Sequence, residues 1–317
     1  MIKTLTPLVF LLSMLTAHSQ SLDWYLNIGN EGYDPMPAMD IDDAGNVYIA
    51  TSFDGTVDLD PGTDELLVGS IGPRSLVVVK YSSEGSVIWY QLFGDVDLDA
   101  IDAKNLVYRN NSLWISGHYS GDLDFDPGIT TDLHSSAGFD NFILKLNDDG
   151  EFVKCIELNL VSSGGLYEIK VDDTGQVYGC GILLLGYDIP NTIDLDPTAN
   201  DYPITAQSSE DGFVVKYNQD LDLVWAKQFT SSSGLYNLDI DIDQNGQLFC
   251  AGTYFGQADF NAGNPDGVVG ENEFVNVYGQ NFLVKIFSNG DFGWIKTFGG
   301  EDTDLVSEIR IDPSNNI

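Results

Sequence analysis

The sequence predicts an all-β protein made of one four-stranded motif that recurs along the chain. Three landmarks support this fold class, and each recurs at intervals of about 65 to 70 residues. The first is a tryptophan four residues before an isoleucine or phenylalanine, at Trp24, Trp89, Trp225 and Trp294. The second is a glycine or asparagine in a turn, and the third is a lysine in an apolar segment. A fixed period of this kind is typical of repeat architectures.

Each repeat is predicted to contain four short strands, which we name A to D in chain order. Four repeats, units 1 to 4, are placed at residues 36–94, 104–158, 167–229 and 237–298, with a partial fifth unit at 305–317. A lone strand D at 23–28 precedes unit 1. A half-built sheet would leave open edges, so we expect the chain to be a fragment of a protein with five or more units.

The turn between strands A and B carries residues that tolerate a positive φ. Gly45, Gly175 and Gly246 occupy one position of this turn, and Asn111 and Asn315 fill it in the other units. Glycine and asparagine are the residues that two-residue hairpin turns require. The sequence therefore predicts a tight A–B hairpin in each unit.

Strand C is apolar along its whole length instead of alternating. The segments are SLVVVKY at 75–81, NFILKL at 141–146, GFVVKY at 212–217 and NFLVKI at 281–286. Continuous apolar runs of this length indicate strands buried on both faces. Sheets stacked face to face around an axis bury both faces, so we predict a β-propeller of four-stranded antiparallel blades.

Residues 1–19 are predicted to be a secretory signal peptide and not part of the fold. A positive start is followed by an apolar stretch at 5–17, and Ala17 and Ser19 stand at −3 and −1 of a cut before Gln20. The stretch is too short to span a bilayer as a helix, and no later run is longer. We expect an exported protein, secreted or at the cell surface, without a membrane span.

The composition is strongly acidic, with 49 acidic residues against 13 basic ones and a net charge of −36. Such a surface repels nucleic acid and anionic lipid, so nucleic-acid binding is not predicted. The cysteines, Cys155, Cys180 and Cys250, are too few for a disulfide framework. They lie in or beside apolar strand segments and are predicted to be buried free thiols.

Three patterns together resemble the SBBP-type bacterial β-propeller repeats. They are D-x-x-G-N-V-Y-I-A at 42–50, N-F-I-L-K-L at 141–146 and G-x-x-x-W at 85–89. The resemblance covers the whole mature chain, about four times over. It implies a propeller fold and export, and it implies neither a reaction nor catalytic residues.

Other features refine this resemblance. The V-D-L-D-P-G element at 57–62 is similar to a variant found in secreted Bacteroidetes-type proteins, which often end in a sorting domain for secretion. The present chain carries no such domain, as expected of a fragment. Asn111 in place of the turn glycine and an insertion at 186–192 depart from the repeat pattern.

The connection between strands B and C carries a paired-aspartate motif. Its members are Asp58 and Asp60, Asp124 and Asp126, Asp194 and Asp196, and in unit 4 Asp259 with Asn261. Two carboxylates with turn carbonyls offer the oxygen ligands that Ca²⁺ prefers, so calcium binding is one prediction. The alternative is an Asx-type turn, in which the aspartate caps the backbone before Pro-Gly.

No pattern predicts a catalytic residue. His118 and His134 share no metal-ligand spacing, and the sequence contains no nucleophile elbow, phosphate loop or CxxC. Carboxyl pairs of glycosidases meet in space and leave no sequence signature, so that chemistry stays open.

The function expected from the sequence is a non-catalytic secreted or cell-surface module that binds a protein or a glycan, or serves a structural role. Its variable surface would be the long B–C loops at 52–74, 118–140, 182–210 and 253–280. The alternatives are a polysaccharide hydrolase or lyase on the same scaffold, and a calcium-stabilised surface scaffold. The sequence predicts neither the ligand nor the oligomeric state.

Overall fold

The computed structural model describes residues 24–25, 27–29, 35–60, 62–158, 164–185, 192–198, 200–270 and 278–317. This part of the chain is all-β, with antiparallel sheets and one short 3-10 helix at Pro265–Gly267. Within it, no helix has the length and apolar character needed to cross a membrane. The predicted signal peptide at 1–19 lies outside the described residues.

Each of the four units forms an antiparallel sheet whose strands follow the order A, B, C, D. Unit 1 contains β1 (Ala38–Ile41), β2 (Val47–Phe53), β5 (Ser75–Tyr81) and β6 (Val87–Phe93). Unit 2 contains β7 (Ala100–Arg109), β8 (Ser112–Asp124), β9 (Leu133–Asn147) and β10 (Phe152–Leu158). Unit 3 contains β11 (Gly165–Val171), β12 (Val177–Leu184), β15 (Glu210–Tyr217) and β16 (Leu223–Ser231). Unit 4 contains β17 (Leu235–Ile242), β18 (Leu248–Tyr254), β21 (Gln280–Ile286) and β22 (Phe292–Phe298).

The B–C connections are more regular than the loops that the sequence suggested, because each one contains a second hairpin. Two of these B–C hairpins are separate strand pairs, namely β3 (Thr56–Asp58) with β4 (Leu67–Gly69) and β13 (Thr192–Asp194) with β14 (Pro203–Thr205). The third, β19 (Ala258–Asp259) with β20 (Val268–Val269), is joined through β19 to β16 of unit 3. In unit 2 the long β8 and β9 themselves continue into the hairpin. Backbone pairing inside the connection satisfies amides that an irregular loop would leave to water.

The A–B turns have the predicted backbone. Gly45, Gly175 and Gly246 have φ values of 81°, 80° and 68°. Asn111 and Asn315 have φ values of 54° and 61°. The asparagine therefore takes over the left-handed position, as predicted for the units without glycine.

Strand C is buried on both faces in three of the four units. Every residue of β5 is buried, as are residues 211–217 of β15 and most of the inner part of β9. In β21, Leu283 and Lys285 are half-buried. The prediction that the third strand lies between two layers is confirmed for units 1 to 3.

The hydrophobic cores lie between consecutive sheets. One core joins apolar residues of units 1 and 2, a second those of units 2 and 3, and a third those of units 3 and 4. Strand A of each unit also contacts strand A of the next, from β1 to β7, β7 to β11 and β11 to β17. Each sheet therefore packs face to face on its neighbours in chain order.

The repeated tryptophan connects each unit to the next. Its indole N–H donates to a carbonyl in the C–D turn of the following unit, from Trp24 to Ser83, Trp89 to Asp148 and Trp225 to Ser288, at 3.0 to 3.1 Å. In unit 2 the tryptophan is replaced by Lys154, whose ammonium donates to the carbonyl of Asp220 in unit 3. Lys154 thus reaches the same turn at the neighbouring carbonyl, while the equivalent carbonyl, that of Gln219, accepts from Lys145.

Several boundaries differ from the sequence-based ones. The described residues within 23–28 and 308–312 do not form strands, although the amides of Ile309 and Ile311 donate to the carboxylates of Asp239 and Asp241. Side-chain acceptors take the place of a strand ladder there. In unit 2, β7 begins at Ala100, well before the predicted strand at 107–109. Residues 186–191 of the predicted insertion lie outside the described residues.

The three cysteines are buried and unpaired, as predicted. Burial raises the pKa of all three thiols, so they stay protonated.

Candidate functional site

The B–C hairpins are the most regular polar feature of the described residues. In units 1 to 3, the first aspartate of the motif accepts two backbone N–H groups through one carboxylate oxygen. Asp58 Oδ1 accepts from Asp60 at 3.0 Å and from Leu66 at 2.8 Å. Asp124 and Asp194 make the same two contacts, two and eight residues ahead, at 2.8 to 3.0 Å. This carboxylate therefore fixes the width of the hairpin tip.

The second aspartate caps the turn that follows. Asp60 accepts from the amide of Gly62 at 2.6 Å, and Asp126 accepts from Gly128 at 2.8 Å. Asp196 accepts from the amide of Thr198 at 2.9 Å. These are Asx turns, which use the short carboxylate as a substitute for a backbone carbonyl.

In unit 4, where the second aspartate is Asn261, Asp259 does more of the capping. It accepts from the amides of Asn261 at 2.9 Å and Gly263 at 3.3 Å. In this motif, which lacks the second aspartate, the single carboxylate of Asp259 thus caps both the hairpin and the turn that follows it.

The apolar residue between the two acidic positions anchors each hairpin on its sheet. Leu59, Phe125, Leu195 and Phe260 are at most 1% exposed. The ring of Phe125 lies 5.0 Å from that of Phe142 on β9, and the ring of Phe260 lies 4.4 Å from that of Phe282 on β21. The hairpins are therefore packed against strand C and not free to swing.

Units 1 and 3 use a tyrosine for the same anchor. Tyr81 donates its hydroxyl to the carbonyl of Leu59 at 2.9 Å, and Tyr217 donates to Leu195 at 2.8 Å. Burial raises the pKa of both hydroxyls above their usual range, so both remain donors. A smaller leucine accompanies the tyrosine here, whereas Phe125 accompanies Leu146 in unit 2.

The predicted calcium ligands are therefore brought together in pairs. In each pair, carboxylate oxygens accept hydrogen bonds from backbone amides. Among the described residues, no group of three or more His, Cys, Asp or Glu side chains is arranged to hold a metal ion. The Asx-turn alternative describes the geometry of Asp58, Asp60, Asp124, Asp126, Asp194 and Asp196. Calcium binding stays a prediction, because pairs of acids with carbonyls can still bind Ca²⁺.

Large apolar side chains are exposed on these B–C connections. They are Leu67 and Ile71 in unit 1, Ile129, Leu133 and Phe139 in unit 2, Leu185 and Tyr202 in unit 3, and Val268 and Tyr278 in unit 4. Scattered exposed apolar residues are normal, but here they recur on the same connection in every unit. We call these residues together the hairpin surface.

A cavity of about 1110 Å³ lies where strands A of the four units and residues 310–311 come together. Five basic side chains reach it, although the protein carries a net charge of −36. They are Lys104, Arg109, Lys170, Lys216 and Arg310. Acidic residues from the same strands line it as well, including Asp40, Glu168 and Asp241.

Most polar groups of this cavity bond between units. The amide of Tyr108 donates to Asp40 at 2.8 Å, and Asn105 donates to Glu168 at 3.1 Å. Lys170 in turn pairs with Glu168 at 2.5 Å. The lining is thus a network that joins the strands A, which is first of all a structural role.

His118 lies on the junction of units 1 and 2. Its Nε2 is 3.4 Å from Asp102, which is also 3.7 Å from Arg74 of unit 1. Burial acts to raise the pKa of Asp102, but the hydrogen bond from His118 and the nearby guanidinium of Arg74 outweigh it and lower that pKa. The contact explains a histidine that the sequence left without a partner, because only the strand register places Asp102 opposite His118.

No protein-family model matches this chain, and no curated protein sequence matches it. The resemblance to SBBP-type repeats therefore stays a prediction.

Proposed function

We propose that the chain is a β-propeller whose blades are the four sheets, and that it binds a protein partner through the hairpin surface. The observation that carries the binding proposal is the repeated display of exposed apolar side chains on rigid, well-packed hairpins. Exposed apolar side chains on an ordered scaffold are typical of protein contact sites.

The blade arrangement is supported by the way consecutive sheets pack. Strand A contacts strand A in each successive pair, and strands A of all four units line one cavity. An innermost strand that faces a common axis is what a propeller requires. A flat stack of sheets would bring together only neighbouring strands A, not those of units 1 and 4.

A protein partner fits the hairpin surface better than a glycan does. Glycan sites depend on aromatic platforms, whereas most of the exposed residues here are aliphatic, such as Ile129 and Leu133 in unit 2. The acidic rim of the same hairpins favours a partner with basic side chains around an apolar centre.

Export to the cell exterior is part of this proposal. It is supported by the signal-peptide pattern of residues 1–19 and by the acidic composition. A mature protein that begins at Gln20 is the expected result of N-terminal sequencing after secretion.

Binding is tested with the double variant Ile129→Ser, Leu133→Ser against a displayed protein library and a glycan array. We expect the wild-type chain to select protein ligands, and the variant to lose at least about tenfold in affinity with an unchanged melting temperature. The matched control is Ile88→Ser on β6, which is 51% exposed but lies outside the B–C connections.

Three outcomes would contradict the proposal. Equal loss in the Ile88 control would show a general effect of surface polarity. Selection of glycans alone would replace the protein partner by a carbohydrate. Turnover of a polysaccharide would favour the enzyme alternative.

A further inference from the structure

Unit 2 contains two neighbouring carboxyl groups inside the sheet. Asp140 lies on β9 opposite Tyr119 of β8, and Glu157 lies on β10 opposite Phe142. Asp140 and Glu157 are therefore diagonal neighbours on one face. Asp140 is 4% exposed and Tyr119 is fully buried. Two acids in such a place need an explanation, because burial penalises the charged form of each.

Three buried oxygen atoms here lack a hydrogen-bond partner among the described residues. They are Oδ1 of Asp140, Oε1 of Glu157 and the hydroxyl of Tyr119. Nearly all buried polar atoms in native proteins are bonded. Two ionised carboxylates offer acceptors only, but one protonated carboxyl supplies the missing hydrogen.

Unit 3 has the same diagonal pair of positions, but one of them holds a side-chain amide that supplies the hydrogen. Asp211 on β15 corresponds to Asp140, and Gln228 on β16 corresponds to Glu157, because Gln228 pairs with Phe213 as Glu157 pairs with Phe142. The amide Nε2 of Gln228 donates to Asp211 Oδ2 at 3.0 Å. The buried acid thus has a neutral amide donor in unit 3 and a second acid in unit 2.

The charged groups around the pair decide which acid keeps the proton. His134 of β9 places Nδ1 at 3.2 Å from Glu157 and Nε2 at 3.1 Å from Asp132. Burial acts to raise the pKa of Glu157, but the hydrogen bond from His134, together with the nearby polar groups of Asp140 and Tyr119, outweighs it and lowers that pKa.

Asp140 has no cation of its own. Burial and the neighbouring Glu157 raise its pKa to about 6, although the Ser136 hydroxyl acts in the other direction. The remaining titratable neighbour is Cys155 on β10, which is buried and protonated.

We propose that Asp140 and Glu157 share one proton in the folded protein, with Asp140 as the donor and Glu157 as the acceptor. At a pH between the unfolded pKa of Asp140, about 3.9, and its folded pKa of about 6, assembly of unit 2 therefore takes up a proton from solution. Unit 2 is a proton-binding site, and the equivalent place in unit 3 is not.

The direction of the pH effect follows from linkage. The raised pKa of Asp140 adds stability that is complete below its unfolded pKa of about 3.9 and is lost as the pH rises through about 6. The raised pKa of His134 acts in the same direction at higher pH. The lowered pKa of Glu157 acts oppositely, but only near and below its unfolded value of about 4.3. Between pH 5 and 7.5 the site therefore loses stability as the pH rises.

The test measures melting temperature from pH 5 to 8 for the wild-type chain and for Glu157→Gln, which imitates unit 3. We expect the variant to melt about 2 to 4 °C higher at pH 7.5 and to lose most of the pH dependence. The transfer variant Gln228→Glu should install that dependence in unit 3. Glu65→Gln, an exposed change in unit 1, is the matched control for loss of one negative charge.

A second measurement does not depend on stability. Difference infrared spectra of the wild-type chain at pH 6 should show a protonated-carboxyl C=O band that is absent in Asp140→Asn. An unchanged pH profile in Glu157→Gln, or the absence of that band, would overturn the proposal. A melting temperature that follows the concentration of Na⁺, K⁺ or Ca²⁺ at constant pH would also overturn it, since a bound cation would then fill the place of the proton.

Discussion

The junction between units 1 and 2 and the junction between units 2 and 3 solve one packing problem with different residues. At the first, Trp89 lies over the C–D turn of unit 2 and donates to the carbonyl of Asp148 at 3.0 Å. At the second, Lys154 donates to the carbonyl of Asp220 in unit 3. Both side chains donate to a carbonyl of the next C–D turn, but Lys154 uses a carbonyl one residue further along and is smaller than tryptophan.

The turn that receives each side chain changes with it. A Cβ at Gly150 would lie 2.9 Å from the indole of Trp89, so only glycine fits beneath the ring. The equivalent residue in unit 3 is Leu221, which has a φ of 58° and is fully buried. Lys154 is smaller than the tryptophan of the other units, and Leu221 in the next unit is larger than the glycine of the other turns. The two changes in side-chain volume thus compensate each other across the boundary between units 2 and 3.

The largest expected difference between the two junctions comes from truncating their donor side chains, Trp89 and Lys154. Trp89→Ala should lower the free energy of unfolding by about 2 to 3 kcal/mol, because it removes a half-buried indole and one hydrogen bond. Lys154→Ala should cost at most about 0.5 kcal/mol, since it removes an exposed amine. Denaturant titration with a constant slope measures both. Equal costs would mean that the indole does not hold the first junction.

The next largest effect is expected from exchanging the receiving residue. Gly150→Leu should destabilise by about 2 kcal/mol, because the new side chain meets the indole of Trp89 and adopts a positive φ. The double variant Trp89→Lys, Gly150→Leu reproduces the second junction and should recover about half of that loss. Additive losses in the double-mutant cycle would contradict volume matching across the boundary.

The smallest effect concerns the hairpins, which look alike at both junctions. Asp124→Ala should cost about 1 to 2 kcal/mol, because two backbone amides lose their acceptor, whereas Asp124→Asn keeps an oxygen there and should cost less than about 0.5 kcal/mol. With Ca²⁺ present, the asparagine variant separates the two predictions for the motif. A wild-type melting temperature that rises with Ca²⁺ and falls with EDTA, and an asparagine variant that does neither, would establish calcium binding.

The sequence predicted the units and the buried third strand because both are carried by local patterns. The continuous apolar run of residues 75–81 shows burial on two faces without any knowledge of the neighbours. The turn residues Gly45 and Asn111 likewise identify hairpins from their own backbone preference. Such features depend on a few adjacent residues.

Contacts across units could not be predicted in this way. The hydrogen bond of Lys154 to Asp220 joins residues that lie far apart in the chain, and the proximity of Asp140 and Glu157 depends on a diagonal register between β9 and β10. The B–C hairpins were expected as loops because their strands are only two or three residues long in units 1, 3 and 4. Their stability comes from the anchored Leu59, Leu195 and Phe260, and not from strand length.

The hairpin of unit 4 shows what such an element gains from a neighbour. Strand β19 pairs with β16 of unit 3, through Thr230 with Asp259 and Ser231 with Ala258. A backbone ladder therefore crosses this boundary, whereas the contacts between the other units in the described part of the chain involve side chains. In an array of repeats, cooperativity depends on the coupling between neighbours. Units 3 and 4 should consequently open as one block, and the hairpin with the most degenerate motif is held in place by a sheet to which it does not belong.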